Sequence, residues 1–119
     1  MSHPSRPRIR LLHRADIALG PGKAELLEGI AELGSIAAAG RRMGMSYPRA
    51  WLLIETMNRC FREPVVEATK GGVNGGGAVV TPFGLTVLKR FHRLEEHAAR
   101  EFDDLLAPSS SGKRTSRRA

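Results

Sequence analysis

The sequence predicts a mainly helical domain with a small amount of β structure. Three observations predict it. Apolar residues recur every three or four positions in stretches around 26–33, 36–43, 50–61 and 87–105, the period of a helix with one buried face. Breakers and capping residues stand between these stretches: Gly34-Ser35, Gly44-Met45-Ser46 and Thr81-Pro82. Two short β-prone runs flank a glycine-rich segment at 70–77, the pattern of a hairpin with a pliable tip.

A chain of 119 residues suits one domain with tails, here a domain at 8–106 between disordered ends at 1–7 and 107–119. Its 41% apolar and 26% charged residues are ordinary for a globular protein. A core this small gains from a partner subunit. The single cysteine, Cys60, excludes an internal disulfide and suits a reducing cytoplasm. No apolar run approaches a bilayer span, and the basic start MSHPSRPRIR has no apolar stretch behind it to make a secretory signal. A cytoplasmic location and no membrane partner are therefore expected.

The net charge of +7 comes from the ends of the chain. Residues 1–21 carry Arg6, Arg8, Arg10 and Arg14 against Asp16, and the tail carries Lys113, Arg114, Arg117 and Arg118. The segment between, 22–106, is neutral, with 11 basic and 11 acidic residues. Charge still separates locally. Arg41, Arg42, Arg49, Arg59 and Arg62 face only Glu55 within 41–62. The acids cluster at Glu25–Glu32 and at Glu95–Asp104. One basic face opposite an acidic one would orient the domain on a polyanion.

Arg8–Leu12 and Asp16–Leu19 suggest a small hairpin bending at His13-Arg14-Ala15. Gly20-Pro21-Gly22 breaks it. A helix from about Lys23 to Leu33 presents Leu26, Leu27, Ile30 and Leu33 on one face, with acids near its start to suit the helix dipole. Gly34 ends it. Ser35 caps a short helix to about Met43, whose Ala37, Ala38, Ala39 and Gly40 allow close helix approach. Gly44 turns the chain, and Met45 fills the corner. Ser46 caps a third helix with Pro48 in its first turn, and Pro64 stops it. Ala50, Leu53, Ile54, Met57 and Phe61 share its inward face, while Pro48, Arg49, Leu52, Glu55, Thr56 and Arg59 face outward. Val65–Thr69 and Ala78–Thr81 then form a wing around the glycine tip. Thr81-Pro82 starts a last helix running to about Leu106, with Val87, Phe91, Leu94, Ala98, Phe102 and Leu105 as its apolar stripe.

Two helices joined by a short glycine turn, followed by a hairpin, have the order of a winged helix-turn-helix with a long closing helix. The third helix is expected in the DNA major groove, its N-terminal residues nearest the base edges. Arg49 suits bidentate contact with guanine, and Thr56 and Arg59 suit phosphate. The competing possibility is a plain amphipathic helix with a solvated face. The short glycine turn, the small-sided preceding helix and the outward Leu52 weigh against it. A glycine tip lets backbone amides approach phosphate, with Lys70 beside it; a loop without contacts is the alternative. The spacing weighs against a nucleotide-cradling loop, since no Lys-Ser or Lys-Thr follows the glycines. His3, His13, His92 and His97 have no metal-ligand spacing, no nucleophile motif occurs, and Cys60 suits a small core position. No catalysis, metal or cofactor is expected.

The stretch LLEGIAELGSIAAAGRRMGMSYPRAWLLIETMN, with REPVVEATKGGVNGGGAVVTPFG after it, resembles the N-terminal DNA-binding domain of the ModE family of molybdate-responsive transcriptional regulators. The most specific marks are Gly44-Met45-Ser46-Tyr47, Ala50-Trp51, Met57-Asn58, and the wing ending in Ala78-Val79 and Thr81. The similarity covers about residues 22–106. It implies a winged helix-turn-helix, a two-fold dimer through the first and last helices, and palindromic operators near molybdenum-related genes. The LysR-type domain is a more distant relative of the same shape. ModE proteins carry C-terminal molybdate-binding domains, which a chain ending at residue 119 is expected to lack. The resemblance is strongest at inward positions of the third helix, and Pro48, Leu52, Glu55 and Thr56 depart from it.

The expected DNA-contacting set is Ser35, Arg41, Arg42, Ser46, Tyr47, Pro48, Arg49, Leu52, Thr56, Arg59, Lys70, Gly75 and Gly76. The expected dimerisation set is Phe91, Leu94, Ala98, Phe102 and Leu105. The partners are double-stranded DNA and a second copy. The alternative is an interaction module that forms a heterodimer with a related full-length sensor regulator.

Overall fold

The computed structural model describes residues 5–70 and 77–108. Two-stranded sheets and four helices follow in the order expected. β1 (Leu11–His13) and β2 (Asp16–Leu19) form an antiparallel hairpin pairing Leu12 with Ile17 and His13 with Asp16. Only Arg14 and Ala15 are left to turn, so the bend is tighter than the three residues expected and His13 belongs to the strand. Two-residue hairpin turns match strand twist by taking positive φ, and Arg14 does so at 57°.

α1 (Pro21–Leu33) starts two residues before the expected Lys23. Pro21 occupies the first turn, where its missing N–H costs nothing. Glu25 is thereby pushed beyond the first turn, which contains no acid, so the expected dipole contribution is absent. Leu26, Leu27 and Ile30 are buried as expected, but Leu33 is 45% exposed. Gly34 ends the helix at φ 67°, its N–H donating to the Ile30 carbonyl at 2.8 Å.

α2 (Ile36–Arg42) and α3 (Tyr47–Cys60) pack behind α1. α3 ends earlier than Pro64 would require, because Phe61 already takes an extended backbone (φ −92°, ψ 157°). Phe61 leaves the helix to meet Phe83 edge-on at 6.3 Å between centroids.

β3 (Val66–Ala68) and β4 (Ala78–Val80) pair antiparallel, Val66 against Val80 and Ala68 against Ala78. The return strand is also stitched to the α1–α2 junction. Ala78 N–H donates to the Gly34 carbonyl at 3.1 Å, and Gly77 bridges Ser35.

α4 (Pro82–Phe102) is capped by Thr81, whose Oγ1 accepts from Gly84 N–H at 2.9 Å. It stops at Phe102 rather than near Leu106, and Leu105 lies in the irregular segment beyond it. Its buried face is Gly84, Leu88, Phe91 and Ala99 rather than the whole expected stripe. Val87, Leu94 and Ala98 lie on the adjoining flank. That offset follows from Gly84, which lets the first turn sit directly on the wing and so sets the rotation of the helix. The core gathers Leu19 of β2, Leu26, Leu27 and Ile30 of α1, Ile36 of α2, Ile54 and Met57 of α3, Val65 before β3 and Phe91 of α4.

Candidate nucleic-acid interface

The helix-turn-helix is built from close backbone approach and two caps. A Cβ on Gly40 would lie 3.3 Å from Ala50 Cβ and 3.4 Å from the Met45 carbonyl, so this glycine lets α2 press against the start of α3. Gly44 turns at φ 72°, and Met45 N–H returns to the Gly40 carbonyl at 2.9 Å. Ser35 Oγ accepts from Ala38 N–H at 3.0 Å and Ser46 Oγ from Arg49 N–H at 3.2 Å. Both expected contact serines thus fix helix starts.

The outward arc of α3 is where the sequence places it. Pro48, Arg49, Glu55 and Arg59 are exposed, and Leu52 keeps 53% of its surface open. Tyr47 is exposed and its hydroxyl accepts from Trp51 Nε1 at 2.7 Å, which holds the ring against the first turn. Thr56 is half-buried and donates its hydroxyl to the Leu52 carbonyl at 3.0 Å, so it points along its own helix rather than freely outward.

The charges are less segregated than the linear count predicts. Arg42 meets Glu32 of α1 at 2.8 Å, Arg59 lies 3.8 Å from Asp16 of β2, and Arg62 meets Glu63 at 2.8 Å. Two of these acids come from distant elements that a sequence window misses. Among the described residues, Arg41 and Arg49 have no ion pair. Exposed pairs contribute little, about 0–1 kcal/mol, so Arg42 and Arg59 can still turn to a phosphate. Burial pushes the Lys23 ammonium below its usual range. The positive charge of Arg49 adds to this, and Cys60 and Asp16 oppose it.

Lys70 is exposed at the base of the wing, while Gly75 and Gly76 lie outside the described residues. The residue that holds the wing is Asn58. Its Oδ1 accepts from Val65 N–H at 2.8 Å and its Nδ2 donates to the Val66 carbonyl at 3.2 Å. Thr81 closes the other side, donating to the Pro64 carbonyl at 2.7 Å. Asn58 carries a sequence signal, a polar residue on the flank of an apolar face, but its partner eight residues on is a tertiary fact.

Phe91 is only 4% exposed and belongs to the core, and its edge lines a surface groove. Leu94, Phe102, Leu105 and Leu106 are exposed. Of these, Leu94 lines a groove of about 540 Å³ together with Leu11, Leu19, Phe61, Phe83 and Val87, and Arg62 and Arg90 also line it.

A helix-turn-helix stitched to a two-stranded wing and closed by a long helix defines a winged helix-turn-helix domain. The crystal structure of a CbnR DBD–DNA complex has this fold, with a TM-score of 0.55 and 23% identity over 71% of this chain and 91% of that one. No protein-family model matches the chain. The DNA-binding transcriptional dual regulator ModE of Escherichia coli (strain K12) is 36% identical over 85 residues, covering 71% of this chain and 32% of that protein. ModE of Haemophilus influenzae is 34% identical over 96 residues, 78% of this chain and 38% of that protein. The molybdenum-pterin-binding protein MopB of Rhodobacter capsulatus is 39% identical over 90 residues, 76% of this chain and 33% of that protein. The relatives named ModE are homologues of this chain, which corresponds to the N-terminal part of those proteins. It spans about a third of the length of the curated relatives it matches.

Proposed function

We propose that the domain binds double-stranded DNA sequence-specifically, as a homodimer, in the service of transcription regulation. The observation that carries this is the outward arc of α3. It is exposed at Pro48, Arg49, Leu52, Glu55 and Arg59, is flanked by the wing, and presents Arg49 without an ion pair among the described residues in its first turn. Arg49 is the group suited to O6 and N7 of guanine. Arg41, Arg42 and Lys70 are the phosphate contacts that set its register. The names of the ModE relatives, and the DNA in the CbnR complex, support the same partner. The relatives named for molybdenum support target genes in molybdenum metabolism.

The dimer surface we assign is the flank of α4 with its groove. An antiparallel second α4 would bring Phe102 and Leu105 of one copy to the Phe83–Val87 region of the other. The acidic end, with Glu101 and Asp104, would then face Arg62 and Arg90. Gel-shift titration over a range of salt tests both parts. Specific, salt-dependent binding with two-fold symmetric footprints is expected, and a folded dimer that binds no DNA contradicts it.

A further inference from the structure

The β1–β2 hairpin and the segment leading into it serve no purpose in the DNA interface described so far, yet residues 8–14 carry three arginines. Arg8, Arg10 and Arg14 are all exposed, and none has an ion pair among the described residues. The single acid of the hairpin, Asp16, lies beside Arg59 at 3.8 Å.

Its place in the fold is equally specific. α3 has two flanks beside its buried face of Ala50, Ile54 and Met57. One flank carries Asn58 and is joined to the wing through Val65 and Val66. The other carries Leu53 and Cys60. β2 packs along α3, with Leu19 beside Cys60 in the groove lining and Asp16 beside Arg59 of the outward arc. The turn end of the hairpin is thus directed to the outward side of α3, and two hairpins bracket the helix.

The turn itself adds an independent observation. Arg14 is the only non-glycine with positive φ among the described residues. Asparagine and glycine hold that position at lower cost, so an arginine there is placed at the expense of stability.

We propose that the β1–β2 hairpin is a second DNA-backbone arm, in which Arg14 at its turn, with Arg8 and Arg10 in the segment leading into β1, contacts phosphates on the side of α3 opposite the wing. This rests on the placement of α3 toward DNA. Such contacts add affinity and salt dependence without reading bases.

The test compares the full chain with the triple variant Arg8→Ala/Arg10→Ala/Arg14→Ala and the single variant Arg14→Gly. Fluorescence anisotropy would follow binding to a selected duplex and to an unrelated duplex across a salt series. Each lost phosphate contact reduces the slope of log K against log salt by about 0.9. The triple variant should therefore lose about 1 to 3 units of slope, with affinity falling by a similar factor on both duplexes. Arg14→Gly removes charge and relieves the turn. It should raise the melting temperature while lowering the slope by about 1, a combination that a purely structural role would not give. Normal wild-type binding with unchanged slopes in both variants overturns the hairpin arm and leaves α3 in place. Absence of DNA binding by the wild type overturns both.

Discussion

Gly84 is the point where α4 rests on the wing, and a single methyl there tests how that joint is built. A Cβ on Gly84 would lie 2.3 Å from the Val65 carbonyl oxygen, 2.8 Å from Val80 Cγ1 and 3.0 Å from the Val65 carbonyl carbon. The nearest atom is backbone, so no side-chain rotation relieves the contact. α4 must move outward, which stretches the Thr81 N–H bond to the Val65 carbonyl (3.0 Å) and the Thr81 hydroxyl bond to Pro64 (2.7 Å). Overpacking costs about 1–3 kcal/mol, and each weakened hydrogen bond about 0.5–1.5 kcal/mol. Alanine's higher helix propensity returns about 1 kcal/mol. Gly84→Ala is expected to lose about 1–5 kcal/mol net on these terms. Urea unfolding followed through the single tryptophan, Trp51, measures it. Gly22→Ala is the control, since its Cβ would meet nothing within 4 Å. It should leave stability unchanged or raise it by up to about 1 kcal/mol. A Gly84→Ala protein as stable as wild type would refute the close approach and the rotation of α4 derived from it.

Other expectations concern the interface and the dimer. Arg49→Ala should cost about 1–3 kcal/mol of specific binding and relax preference at one base pair, read by competition among duplex variants. Lys70→Ala should weaken specific and unrelated duplexes alike and reduce the salt slope by about 1. Asn58→Ala should destabilise the domain by about 1–3 kcal/mol, because it leaves Val65 N–H and the Val66 carbonyl without their partner; Asn58→Asp, which keeps the acceptor, should lose less in the same urea experiment. Phe102→Glu should weaken self-association at least about tenfold, since burying a phenylalanine contributes about 1.5–3 kcal/mol. Sedimentation equilibrium reports that shift, and an unchanged dimer would remove α4 from the contact.

What the sequence disclosed was local. Ser35, Ser46 and Thr81 cap helices within three residues of themselves, so a short window contains both partners. Gly34 and Gly44 take positive φ where the helical pattern breaks. The alternation of inward and outward residues on α3 needs only helical geometry. Long-range facts were not legible. Arg42–Glu32 and Arg59–Asp16 join different elements, and a charge count within 41–62 misses both acids. The rotation of α4 depends on Gly84 meeting Val65, so periodicity alone grouped Phe91 with Leu94 and Phe102, although the fold buries the first and exposes the others. Asn58 lay on the correct flank, but its partners are set by how the chain leaves α3. The outward face of α3 has the opposite limitation. Its position follows from the period, while the bases it would meet under the proposed function depend on a partner the sequence does not contain.

Selection of bound duplexes from a random pool by the purified full chain tests the proposed function most directly. Enrichment of a two-fold symmetric sequence, with a preferred guanine that Arg49→Ala relaxes, is the predicted result. A folded protein that recovers the pool unenriched, at any salt concentration, would contradict it.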